Sequence, residues 1–138
     1  MATKVRYLVD TNIWLERLLD QDKSEVVSHF LNVVPADQLF VSDFSIHSIG
    51  VILSRLKKFD TLRMFLEDIF INGQIEQLAL EPIDLIDVLN NIVKYGLDFD
   101  DSYQCTVTEK FDLTLVTFDK DFDVKGIRKI APDKVIER

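Results

Sequence analysis

The sequence predicts an α/β domain with a mainly parallel sheet, and three observations carry that expectation. Runs such as VRYLV, QLFVS and LTLVTF are short, apolar and rich in β-branched and aromatic residues, as strands covered on both faces are. Longer stretches with apolar residues at helical spacing lie between them. The 138 residues include only four glycines and three prolines, with no repeat, linker or low-complexity segment, so residues 1–138 read as a single domain.

The first strand is VRYLV (residues 5–9), and Asp10 or Thr11 caps the helix NIWLERLLD that follows, with Ile13, Leu15, Leu18 and Leu19 inward. SEVVSHFLNVV makes a second helix that stops before Pro35, and QLFVS (38–42) a second strand. Residues 43–58 read as a long helix, with Asp43 as its N-cap, and 60–72 as another that Gly73 ends. IEQLAL (75–80) is a third strand; Pro82 then opens a helix that runs to Gly96. Asp98, Asp100 or Asp101 caps a helix through Lys110, and LTLVTF (113–118) is the clearest strand of all. The tail IRKIAPDKVIE holds at most one short edge strand.

Composition narrows the function. Hydrophobic residues make up 47% and charged residues 29%, the balance of a folded soluble protein. No run approaches the roughly 18 apolar residues of a membrane span. The N-terminus reaches Asp10 before a signal-peptide core can form, so a cytoplasmic protein is expected. Cys105, the lone cysteine, excludes an internal disulfide and a cysteine zinc site, and reads as a buried thiol. The net charge of −8 is unlike that of a protein gripping nucleic acid through a broad basic face; carboxylates gathered to hold cations would account for it, as would a basic partner protein.

In open parallel sheets, ligands bind beyond the carboxyl ends of the strands. Asp10 follows the first strand, Asp119 and Asp121 follow LTLVTF, and Asp101 opens the helix before it. Parallel pairing of those strands brings the four to one edge. Like charges at that distance repel, and a divalent cation offsets the repulsion. Oxygen ligands without sulfur or paired histidines point to Mg²⁺ or Mn²⁺. Each residue also has a structural reading: Asp10 and Asp101 as helix caps, Asp119 and Asp121 as turn residues in FDKDFD.

At this point the chain resembles the PIN domain, a metal-dependent nuclease family whose small bacterial and archaeal members include ribonuclease toxins of type II toxin–antitoxin systems. The resemblance spans Val5 to Phe122 and rests on YLVDTNIW and, more specifically, on LDFDDSYQCTVTEKFDLTLVTFDKDF. It implies a three-layer α/β/α fold, Mg²⁺ or Mn²⁺, hydrolysis of RNA phosphodiester bonds, an antitoxin partner and a homodimer. Asp10 takes the place of the first family acid, Asp101 the third and Asp119 the fourth, with Asp121 beside it. Asn12 and Thr117 would hold carboxylates and water in place, or serve only as a first-turn residue and a strand residue.

One departure bears on activity. The family's second acid is a glutamate on the helix after the second strand, and that place falls on Ser48. A neutral serine weakens cation binding, so the expected ribonuclease has a rival: an impaired or inactive PIN-like module that binds RNA or a protein partner. His47 stands beside Ser48 but points roughly 100° around the helix. A phosphatase-like site with an aspartyl nucleophile would want a second aspartate where Asn12 stands. Arg55, Lys57 and Lys58 suit a solvated helix C-terminus better than an RNA contact. Trp14 and Phe44 read as core or dimer residues rather than a base-stacking surface, and FLEDIFING (65–73) offers an apolar face for a dimer.

Overall fold

The computed structural model describes residues 4–137. Five strands, β1 (Tyr7–Val9), β2 (Leu39–Ser42), β3 (Glu76–Leu78), β4 (Thr114–Val116) and β5 (Lys129–Ile130), form one sheet in the order β3-β2-β1-β4-β5, and every pairing is parallel. The helices are α1 (Thr11–Leu18), α2 (Ser24–Val33), α3 (Asp43–Arg55), α4 (Phe59–Leu66), α5 (Leu85–Tyr95), α6 (Phe99–Phe111) and α7 (Pro132–Ile136).

The layers follow from the two-residue period of the strands. Tyr7, Val9, Leu39, Val41 and Val116 face one way and pack with residues of α1 to α4 and α7, including Trp14, Phe30, Leu53, Phe65 and Val135. Leu8, Phe40 and Leu115 face the other way, onto Val88 of α5 and Tyr103, Cys105 and Val107 of α6. The central strands β1 and β2 are buried along their whole length, which is why their sequences do not alternate. The three-layer α/β/α arrangement is as expected.

Local chemistry sets most boundaries. Asp10 caps α1, and Asp98 caps α6 by accepting from the Asp101 N–H at 2.9 Å. Gly96 ends α5 at φ +69°, a left-handed position where glycine costs least. The N-cap of α3 is Ser42, whose hydroxyl accepts from the Ser45 N–H at 3.0 Å; Asp43 is the first helical residue, so its expected role as the cap is corrected. The helix expected over 60–72 is α4 followed by a π-helical turn, Glu67–Asn72. Gly73 closes that turn because any Cβ there would lie 2.4 Å from the Asp68 carbonyl oxygen. The tail holds the edge strand β5 and also α7, which the sequence reading missed although Pro132 stands at its first turn. Among the described residues, no helix is long and apolar enough to cross a membrane.

Candidate metal centre

β1 and β4 are neighbours in register, Val9 opposite Val116, so the residues after them leave the sheet side by side. The Asp10 N–H donates to the Val116 carbonyl at 3.0 Å, extending the ladder by one bond before α1 begins. Asp119 lies two residues past Thr117, where its side chain accepts from the Asp121 N–H at 2.9 Å and folds the chain into the turn Lys120–Phe122. Asp101 arrives from the first turn of α6. One carboxylate oxygen from each of Asp101, Asp119 and Asp121 falls within 4.8 Å of the others. Asp10 adjoins this trio, and its charge is felt by Asp101. None of the four forms an ion pair among the described residues.

The protein satisfies Asp10 from behind. Its Oδ1 accepts from the Thr11 N–H at 2.9 Å and from Gln104 Nε2 at 2.9 Å. Its Oδ2 accepts from Thr117 Oγ1 at 2.8 Å and, at 3.4 Å, from Asn12 Nδ2. A carboxylate has about four acceptor positions; each oxygen accepts two bonds here, and the long one from Asn12 to Oδ2 is the weakest of the four, so Oδ2 is the oxygen that could most readily turn to a cation. Burial raises the proton affinity of Asp10, the bonds from Gln104, Thr117 and Thr11 lower it, and the charge of Asp119 raises it again. Asp101, less enclosed, is pushed up to about 7, first by burial and then by Asp98, Asp119, Asp10 and Asp121. These carboxylates are short of positive charge.

Asn12 and Thr117 join Asp10 to Asp119. Thr117 Oγ1 accepts from the Asp119 N–H at 3.0 Å and from Asn12 Nδ2 at 3.1 Å, and Asn12 Oδ1 accepts from the Phe118 N–H at 3.2 Å. Behind Asp10 lies a second network of neutral groups. Gln104, 2% exposed, donates from Nε2 to Asp10 and to Ser45 Oγ (2.9 Å), and its Oε1 accepts from Ser42 Oγ at 2.6 Å. An ionised carboxylate only accepts, so the amide must turn its NH₂ towards Asp10. Ser42 then spends its proton on Gln104, and the Ser45 and Thr11 hydroxyls share a hydrogen bond at 2.8 Å.

Sequence reading missed Gln104, Ser42, Ser45 and Thr11. Gln104 stands in SYQCTVT (102–108), which the fold buries throughout although four of its residues are polar. Ser102, Thr106 and Thr108 reach nearby backbone carbonyls, as short hydroxyl side chains do. Gln104 is too long for that and extends to Asp10.

The other candidates are placed as follows. Ser48 is half-buried on α3, three residues beyond Ser45 and so on the flank that faces this network. His47 is exposed. Asp43 accepts from the Tyr103 hydroxyl at 2.8 Å and is absent from the acidic trio. Trp14 is buried edge-to-face against Phe65, and Phe44 is half-buried against Tyr103. Cys105 is buried, and burial pushes its thiol up to about 12.

Comparison with known proteins bears on the family and the fold. The PIN domain model matches residues 7–127. The chain belongs to the PIN domain family. Among solved structures, a toxin–antitoxin complex from Klebsiella pneumoniae is 19% identical, covering 91% of this chain and 97% of that one, with a TM-score of 0.72. VapC20 of Mycobacterium tuberculosis, described as a Sarcin-Ricin loop cleaving toxin, is 14% identical over 91% of this chain and 99% of its own, with a TM-score of 0.75. DNA-bound VapBC from Salmonella typhimurium is 17% identical over 94% and 99%, at 0.73. At these identities the likeness establishes the PIN fold. No curated protein sequence matches significantly.

A PIN-type divalent cation fits the residues present. Asp101, Asp119 and Asp121 offer all-oxygen donors within 4.8 Å of one another, Asp10 adds a fourth carboxylate beside them, and none of the four forms an ion pair with a lysine or arginine among the described residues. Hard, small cations such as Mg²⁺ and Mn²⁺ favour that donor set.

Proposed function

We propose that this PIN domain is a Mg²⁺- or Mn²⁺-dependent endoribonuclease and the toxin of a toxin–antitoxin pair. The observation that carries the reading is the meeting of Asp101, Asp119 and Asp121 beside Asp10 without a counter-charge of their own. Asp101, Asp119 and Asp121 would hold the cation, and Asp10 would support it from the buried side. When bound, the ion supplies the positive charge that a phosphodiester oxygen and an attacking water both need. Thr117 and Asn12 tie Asp10 to the backbone of Asp119, which would keep both carboxylates in place around a bound cation. No side chain is required as a covalent nucleophile.

The similar complexes of toxin with antitoxin support an antitoxin partner here, in the cytoplasm. Exposed Ile83, Ile86, Leu89 and Val93 recur at helical spacing along α5 and its lead-in turn, and they support a homodimer. A second reading, a PIN module that binds without cutting, draws on the resemblance, which puts Ser48 in the place of the second family acid. RNA cleavage separates the two. Wild type with Mn²⁺ should cut single-stranded RNA, and Asp101→Asn should abolish cutting while remaining folded. A wild-type chain that binds Mn²⁺ and RNA yet cuts nothing would leave the binding module.

A further inference from the structure

The acidic cluster needs a path by which a polyanion can reach it. A cleft of about 500 Å³ opens between β4, β5 and the start of α2, and it shares Thr117 and Asp119 with the cluster. Phe118 forms part of its wall. The Phe118 N–H donates to Asn12, which also bonds Asp10 and Thr117, so the Phe118 backbone is tied to the network that holds the carboxylates. Lys23 Nζ stands 4.5 Å from the centre of the Phe118 ring, and the Lys23 N–H is anchored on Glu16 Oε2 at 2.9 Å. Lys120 follows Asp119 directly and lines the same cleft. Neither ammonium pairs with a carboxylate among the described residues, whereas Lys129 in the same cleft is tied to Asp123; Asp133 lines the cleft as well. On the α6 side, by contrast, the cluster is flanked by exposed Asp98 and Asp100.

We propose that the phosphates of a single-stranded RNA chain lie on Lys23 and Lys120 in this cleft and that the strand enters the cluster past Phe118. The identity of the polyanion rests on the nuclease reading; the route rests on the lysines. In a chain of net charge −8, a phosphate strand is repelled by most of the surface, so two unpaired ammonium groups beside the cluster decide where it runs.

Fluorescence anisotropy of a labelled single-stranded RNA oligonucleotide, in EDTA over a series of salt concentrations, reads the contact directly. Each neutralised phosphate of a single strand contributes a log–log salt slope of about 0.7. Lys23→Ala with Lys120→Ala should flatten the slope by about 1.4 and weaken binding about 25-fold at 0.1 M salt. Lys57→Ala with Lys58→Ala, at the exposed end of α3, should change neither. An unchanged slope in the cleft variant, loss in the Lys57/Lys58 variant instead, or no RNA binding by wild type even at low salt, overturns the route. Cleavage assays separate it from the enzyme reading. If wild type cuts RNA with Mn²⁺ and the cleft variant keeps the same KM, the route falls and the nuclease stands. If binding depends on the lysines but neither Mn²⁺ nor Mg²⁺ supports cutting, the nuclease falls and the route stands.

Discussion

Replacing Gln104 with leucine separates the holding of Asp10 from the packing of α6. Leucine fills most of the space but removes the donor to Asp10 Oδ1, the donor to Ser45 and the acceptor of Ser42. The two serines can re-pair, since their oxygens already lie 3.3 Å apart. Asp10 cannot: it is buried, and its other donors are already spent. A hydrogen bond to a charged group contributes about 1.5–3 kcal/mol, so the metal-free chain should lose about 2 kcal/mol. For a chain of this size that lowers Tm by roughly 6–8 °C. With its donor gone, the Asp10 proton affinity climbs further, and a proton then competes with the cation. Mn²⁺ affinity by calorimetry should fall about 10- to 100-fold, the usual effect of removing a group that supports a metal ligand. Thr108→Val is the control, because its hydroxyl bonds only the Cys105 carbonyl; it should lower Tm and leave Mn²⁺ affinity alone. If Gln104→Leu behaves like Thr108→Val, the argument that Gln104 positions Asp10 is wrong.

Further outcomes follow from the same geometry. With a folded pKa of about 7 against 3.8, Asp101 keeps a proton in the folded chain that the unfolded chain has released, so metal-free stability should fall as pH rises through that window and level off above it. Asp101→Asn should flatten the profile of Tm against pH in EDTA, and an unchanged profile would show that this carboxylate is not perturbed. Ser48→Glu, which returns a carboxylate to the flank facing Gln104, should tighten Mn²⁺ binding and raise RNA cleavage; loss of both would mean that α3 does not present this position to the centre. Leu89→Asp, on the exposed stripe of α5, should convert a dimer to monomers in analytical ultracentrifugation without lowering Tm, and a dimer that survives it would place the interface elsewhere.

How much of this was legible in the sequence depended on range. The strands β1, β2 and β4 declared themselves because burial on both faces leaves unbroken apolar runs. Caps were legible only to within a residue: Ser42 and Asp43 are both good N-caps, and the choice depends on which side chain turns back to the Ser45 N–H. The short α7 escaped because five residues carry too little periodicity to stand out. Asp101, Asp119 and Asp121 could be anticipated at one rim because strand ends and helix starts are local signals. Gln104 could not, since its partners Asp10 and Ser42 lie 94 and 62 residues away and only the fold brings them together.

The central claim is that Asp101, Asp119 and Asp121, backed by Asp10, lack a positive charge that a divalent cation supplies. Calorimetric titration of Mn²⁺ into the metal-free protein tests it most directly, with Asp119→Asn alongside. The account predicts saturable binding in wild type and its loss in Asp119→Asn, which should remain folded. No binding in wild type, or equal binding in the variant, would contradict it.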